Sequence, residues 1–191
     1  MNVKKIALFA SGSGTNAENI ISYFADSKNI KVDSLWSNKR DAFALKRAEK
    51  WGVPTFIFNR RQFYETNEIV DELQRRGIDL IVLAGFLWLV PENILRKFTL
   101  INIHPALLPK YGGKGMYGMH VHRAVIENGD KESGISIHLV DPEYDQGKLL
   151  FQARCPVCPG DTPEDVATRV HQLEYQHFPA LIEKFLMEHN Q

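Results

Sequence analysis

The sequence predicts an α/β fold with a mostly parallel central sheet flanked by helices. Three observations predict it. Short apolar runs alternate with helical patterns through the first 104 residues. The segment Ile78-Asp79-Leu80-Ile81-Val82-Leu83-Ala84 has no polar alternation after Asp79, as expected of a central strand covered on both faces. A glycine-rich loop, Ser11-Gly12-Ser13-Gly14-Thr15-Asn16, joins the first strand to the first helix.

Residues 6–9, 32–36, 55–58, 80–83 and 100–103 read as strands. Residues 16–25, 41–51, 62–76 and 91–98 read as the helices between them, giving right-handed βαβ units and a Rossmann-like arrangement. After Leu108 the pattern changes. Residues 109–119 form a loop containing Gly112, Gly113, Gly115 and Gly118, followed by a helix over 120–128. Residues 134–140 and 148–154 read as two further strands, and a helix from 163 to about 187 closes the chain, with a bend expected near Pro179. No repeat, low-complexity tract or linker interrupts the 191 residues, so a single domain over 1–191 is expected.

Composition narrows the class of function. Lys plus Arg and Asp plus Glu each number 23, so no global field draws the chain to nucleic acid or to a membrane surface. The first apolar run is too short for the core of a signal peptide, and no stretch reaches the length of a membrane span. Two cysteines cannot build a disulfide framework. A cytoplasmic protein is the natural reading.

In open parallel sheets ligands gather beyond the carboxyl ends of the strands. The loops after Phe9, Leu83 and Ile103 therefore share one edge. The glycine loop suits a phosphate, since glycines permit close backbone approach and a helix N-terminus offers free N–H groups. It lacks the Lys-Ser/Thr of a Walker A motif. It meets a relaxed dinucleotide pattern, but the second strand ends in Trp36-Ser37-Asn38 without the acidic residue that holds a ribose, which favours a phosphate monoester. The alternative is a tight turn with a Ser/Thr cap.

Asn102 and His104, two apart in a strand, leave on the same face. An amide that donates to an oxyanion and an imidazole that moves a proton near neutral pH can converge there on one reacting atom. Pro105 and Pro109 stiffen the exit. Asp145, in the segment Asp141-Pro142-Glu143-Tyr144-Asp145-Gln146-Gly147, reads equally as a solvated turn residue and as a carboxylate that raises the pKa of His104. Cys155 and Cys158 form a lone CxxC late in the chain and read as structural. His120 and His122 read as helix-capping or surface residues, Arg60-Arg61 and Arg75-Arg76 as solvated faces. No spacing implies a metal.

Several of these segments, in this order, resemble phosphoribosylglycinamide formyltransferases: Gly12 through Asn16, Ser37-Asn38-Lys39, Leu83-Ala84-Gly85-Phe86, Asn102 through Pro109, and Asp141 through Gly147. The resemblance runs from end to end. It implies 10-formyltetrahydrofolate as cosubstrate, no tightly bound cofactor, and a phosphoribosyl glycinamide as the formyl acceptor. It places Asn102, His104 and Asp145 in the catalytic positions, and Gly14, Thr15, Asn16 and Glu174 against the phosphorylated substrate. Leu87, Trp88, Leu89, Val90, Val140 and Asp141, with Asn102, fall on the folate side. It implies a monomer or homodimer. Trp88 stands where some members carry an arginine that pairs with the folate's glutamate tail, a role Arg60 or Arg61 could fill. His171 stands where a lysine or glutamine is expected. Related formyl-folate enzymes act on methionyl-tRNA, with an added basic C-terminal domain, or hydrolyse the folate, with an added N-terminal domain. A non-catalytic nucleotide-binding module is the reading outside enzymes.

Overall fold

The computed structural model describes residues 3–188. Five strands, β1 (Lys4–Phe9), β2 (Ile30–Ser37), β3 (Thr55–Ile57), β4 (Leu80–Leu83) and β5 (Leu100–His104), run parallel. Two more, β6 (Glu132–Leu139) and β7 (Leu149–Pro156), continue the sheet antiparallel. The spatial order is β3-β2-β1-β4-β5-β6-β7. The order reverses beside β1, so the loops after β1 and β4 meet at a switch point, where open sheets bind ligands.

Alternation along the strands divides the core. In β1, Ile6 and Leu8 pack with α1 (Thr15–Phe24), α2 (Phe43–Lys50) and α7 (Pro163–Glu188), while Ala7 and Phe9 face the opposite side. That second side is aromatic. Phe9 stacks on Trp36, and Phe58, Phe63 and Phe86 close around them. Both faces are covered, which is why β1 and β4 carry uninterrupted apolar runs.

The helix expected over 62–76 is two helices, α3 (Arg60–Tyr64) and α4 (Glu68–Arg76). Asn59 and Gln62 form a reciprocal capping box that starts α3 early. The Thr66 hydroxyl then donates to the Gln62 carbonyl and accepts from Glu68 N–H, competing with the backbone and breaking the helix between them. The helix expected over 91–98 is only α5 (Glu92–Leu95). The helix after the glycine loop is α6 (Met119–Glu127), and the late strands start and end within about two residues of expectation.

α7 runs through Pro179 without interruption. Proline there cannot donate to the Tyr175 carbonyl, four residues earlier. The Asn19 side chain donates to that oxygen instead, at 3.0 Å, and so ties α1 to α7. Among the described residues no helix is long and apolar enough to cross a membrane.

Candidate active site

A cavity of about 660 Å³ opens along the carboxyl edge of β1, β4 and β5. The glycine loop and the start of α1 form one end, and residues 86–90 form the other. The strand end at Asn102–His104 makes the floor, and the loop 113–119 makes a wall.

His104 is almost fully buried, at 4% exposure. Its Nε2 lies 2.7 Å from the Tyr111 carbonyl. A carbonyl only accepts, so Nε2 carries the proton and Nδ1 is the nitrogen that titrates. Nδ1 lies 3.5 Å from Asp145 Oδ2. Burial pushes the His104 pKa below its ordinary value, and the Asp145 charge and the Tyr111 carbonyl only partly offset this. In one of the two readings the sequence left open, Asp145 raises that pKa. Asp145 does act in that direction, and desolvation outweighs it.

Asp145 sits in a left-handed turn at φ 56 and accepts from Gly113 N–H at 2.9 Å. Burial favours its neutral form, but the adjacent His138 and His104 imidazoles and the Gly113 N–H together hold it below the usual carboxylate range. The turn is fixed at Gly147, where a Cβ would stand 1.7 Å from the Leu139 carbonyl oxygen. Of the seven residues 141–147, only glycine fits there.

His138 is a residue of the candidate site that the sequence alone did not single out. β5 and β6 pair so that His138 lies directly opposite Asn102 and Ser136 opposite His104. His138 Nδ1–H donates to the Leu139 carbonyl at 2.8 Å, which leaves Nε2 to accept from Asn102 Nδ2 at 3.2 Å. Asp145 Oδ1 lies 3.5 Å from the same nitrogen. Ser136, fully buried, donates to Ala106 O and accepts from Leu108 N–H and Gln152, fixing the chain as it leaves β5.

Gly14 precedes α1 in the left-handed region, at φ 73, with no side-chain cap. A Cβ on Gly14 would lie 2.4 Å from the Ala44 Cα, so glycine is needed for packing against α2 as well as for approach to a ligand. The Ser/Thr cap of the alternative reading is absent, and the first N–H groups of α1 have no helical partner. Beside them, Glu174 is buried and accepts from Asn16 Nδ2 at 2.9 Å and from His171 Nδ1 at 2.7 Å. That bond raises the His171 pKa above its ordinary value. His122, at 1% exposure, lines the cavity next to His171, and burial depresses its pKa to about 4. It is not the capping or surface residue that the sequence suggests.

On the folate side of the expectation, Leu87, Trp88, Leu89, Val90 and Val140 line the cavity. Asp141 is not among the lining residues. Its carboxylate accepts Glu143 N–H at 3.0 Å and shapes the turn. Trp88 packs against Phe58, Phe63 and Tyr64, and the Arg60 guanidinium lies 5.8 Å from its ring. Asp33, the only acid in β2, is held by Arg76 at 2.5 Å and is not available to a ribose. Among the described residues no group of three or more His, Cys, Asp or Glu is placed to hold a metal ion.

Fold and site together define an open-sheet α/β protein with an amide, two imidazoles and a carboxylate gathered at its carboxyl edge. The chain belongs to the formyl transferase family, whose model matches residues 4–182. It is 40% identical over 187 residues to the chloroplastic phosphoribosylglycinamide formyltransferase of Arabidopsis thaliana, covering 94% of this chain and 64% of that protein. The chain thus spans less than two thirds of the plant relative's length. It is 38% identical to the phosphoribosylglycinamide formyltransferase of Haemophilus influenzae, covering 96% of this chain and 87% of that one. Its structure matches glycinamide ribonucleotide transformylase 1 from Geobacillus kaustophilus with a TM-score of 0.86 at 32% identity, over 97% of this chain and 100% of the other.

Proposed function

We propose that this protein transfers the formyl group of 10-formyltetrahydrofolate to the amine of 5-phosphoribosylglycinamide, a step of purine biosynthesis. The observation that carries the proposal is the meeting of Asn102, His104, His138 and Asp145 on the floor of one cavity, between a glycine loop and an aromatic-walled end. The names of the relatives supply the acceptor and the formyl group, and the resemblance of the sequence supplies the folate donor.

In this reading the phosphate of the acceptor rests on the N–H groups at the start of α1, near Gly14, Thr15 and Asn16, with Glu174 toward the glycinamide. The folate lies along Leu87 to Val90 and Val140. Binding the substrate's far end holds the amine near the formyl carbon, so remote contacts lower the barrier. The amine nitrogen attacks the formyl carbon, and the C=O pair becomes an oxyanion. The Asn102 amide donates to that oxygen. His104 enters neutral, because burial has depressed its pKa. Its Nδ1 accepts the proton shed by the attacking nitrogen, and the imidazolium so formed is stabilised by Asp145. The same proton, directly or through a water held by Asp145, then passes to the folate nitrogen as its bond to carbon breaks.

The proposed working form is one formyltransferase domain over residues 1–191, cytoplasmic, monomeric or homodimeric, acting on small molecules alone. The assay is formyl transfer from 10-formyltetrahydrofolate with and without the phosphoribosyl amine. Formylated product that requires the amine is expected. Formate release at the same rate without the amine would overturn the transferase reading. Full biological activity in a His104→Ala protein would favour a non-catalytic binding module.

A further inference from the structure

Tyr111 is engaged at both ends. Its carbonyl accepts the Nε2–H of His104 at 2.7 Å. Its hydroxyl donates to Asp130 Oδ2 at 2.8 Å and accepts from Asn128 Nδ2 at 3.0 Å. Lys110 reaches the same carboxylate at 3.1 Å. Asn128 caps the C-terminus of α6 and Asp130 lies between α6 and β6, so the ring is fixed to the body of the fold.

The backbone between these ends is in a conformation that tyrosine seldom adopts. Tyr111 has φ 56 and, with Asp145, is one of two non-glycine residues in the left-handed region among the described residues. Such a conformation persists where the surroundings over-determine it. Here the ring contacts do so, and the result is a carbonyl aimed into the site.

That carbonyl decides which tautomer His104 holds. If Nδ1 carried the proton instead, Nε2 and the Tyr111 oxygen would present lone pairs to each other at 2.7 Å. The other groups facing His104 are Asp145, His138, Glu174 and His122, and all act on its charge. Only Tyr111 accepts a hydrogen bond from Nε2 among the described residues.

We propose that Tyr111 is a positioning residue for the reaction. Its side chain, anchored by Asp130 and Asn128, holds a left-handed turn whose carbonyl keeps Nε2 of His104 protonated and Nδ1 free for proton transfer. The assignment rests on the formyl-transfer reading of His104, but the tautomer it predicts is measurable without turnover.

The test is Tyr111→Phe, which keeps the ring and removes both hydroxyl bonds. The expected result is a fall in kcat of about tenfold, the scale of a small misplacement in a catalytic group. KM for both substrates should stay within about twofold of the parent, since the ring touches neither proposed binding end. Imidazole nitrogen NMR should show His104 as the Nε2–H tautomer in the parent and as a mixture in the variant. Parent-like turnover with an unchanged tautomer would overturn the proposal. So would a loss of kcat with the tautomer unchanged, which would mark a structural role only. If Tyr111→Phe fails to fold, Asp130→Ala and Asn128→Ala remove one anchor each and are judged by the same two readouts. If the parent itself transfers no formyl group, the functional reading fails and the NMR comparison alone decides the role of Tyr111.

Discussion

Asn102 and His138 face each other across β5 and β6, with Nδ2 and Nε2 3.2 Å apart. The histidine is committed by its other nitrogen to the Leu139 carbonyl, so it accepts from the amide and turns the Asn102 NH₂ group into a fixed donor. An oriented donor is what a developing oxyanion needs, because no reorganisation is then required at the moment of reaction. Asn102→Ala should lower kcat by about 100-fold, and His138→Ala by less, since it loosens the donor without removing it. Steady-state formyl transfer measures both. An Asn102→Ala enzyme with parent turnover would exclude the amide from the oxyanion site.

The pH profile tests the pair His104 and Asp145. Burial holds the His104 pKa below its ordinary value, and Asp145 opposes that displacement. The reaction needs neutral His104, so kcat/KM should fall as pH drops through this depressed pKa and be sustained above it. Asp145→Asn removes the anion that stabilises the imidazolium. The His104 pKa then falls further, and the acid limb moves to lower pH. An acid limb at the same pH in parent and variant would remove Asp145 from this role.

His122 couples the site to stability. Its folded-state pKa of about 4 lies below the ordinary 6.5. The folded state therefore binds fewer protons than the unfolded state between these values, and stability falls as pH drops from 6.5 toward 4. The contribution is on the order of 3 kcal/mol at the acid end. His122→Gln should flatten this part of the stability curve, read from denaturant unfolding at pH 7 and pH 4.5. An equal loss between the two pH values in parent and variant would contradict the assignment.

The Asn19 bond to Tyr175 O addresses the helix at Pro179. Asn19→Ala leaves that carbonyl without its protein donor and should cost about 1 kcal/mol. Pro179→Ala in the same background restores an N–H that can reach Tyr175 O, and should recover part of the loss. Denaturant midpoints for the parent, the single variants and the double variant check this. Additive effects would show that the two residues do not share the carbonyl.

Much of this arrangement was legible in the chain. The strands of the parallel half were readable because a strand buried on both faces leaves a run such as Leu80-Ile81-Val82-Leu83, which no surface segment imitates. Asn102 and His104 were readable because period two puts both on one face at a strand end. Ser136 and His138 carried the same signal, two polar residues alternating with Ile135 and Ile137 in a strand. The partner strand and the register that set His138 against Asn102 are long-range facts with no local trace. The break at Thr66 was obscured by a helical pattern that continues on both sides of it.

By itself the sequence determined the sheet, its carboxyl edge and the residues most able to do chemistry there, because periodicity, glycine and strand-end position are local properties of the chain. It also carried the resemblance that brought folate and a phosphoribosyl amine into view. Only the tertiary structure decided that Asp145 returns to His104, that His138 orients Asn102, and that His104 is bound through Nε2 and held neutral by burial. Those outcomes depend on how a loop folds back, which strands pair and how much water is excluded. All three are set by contacts between residues distant in the chain, and desolvation, which dominates the His104 pKa, does not exist until the core has closed.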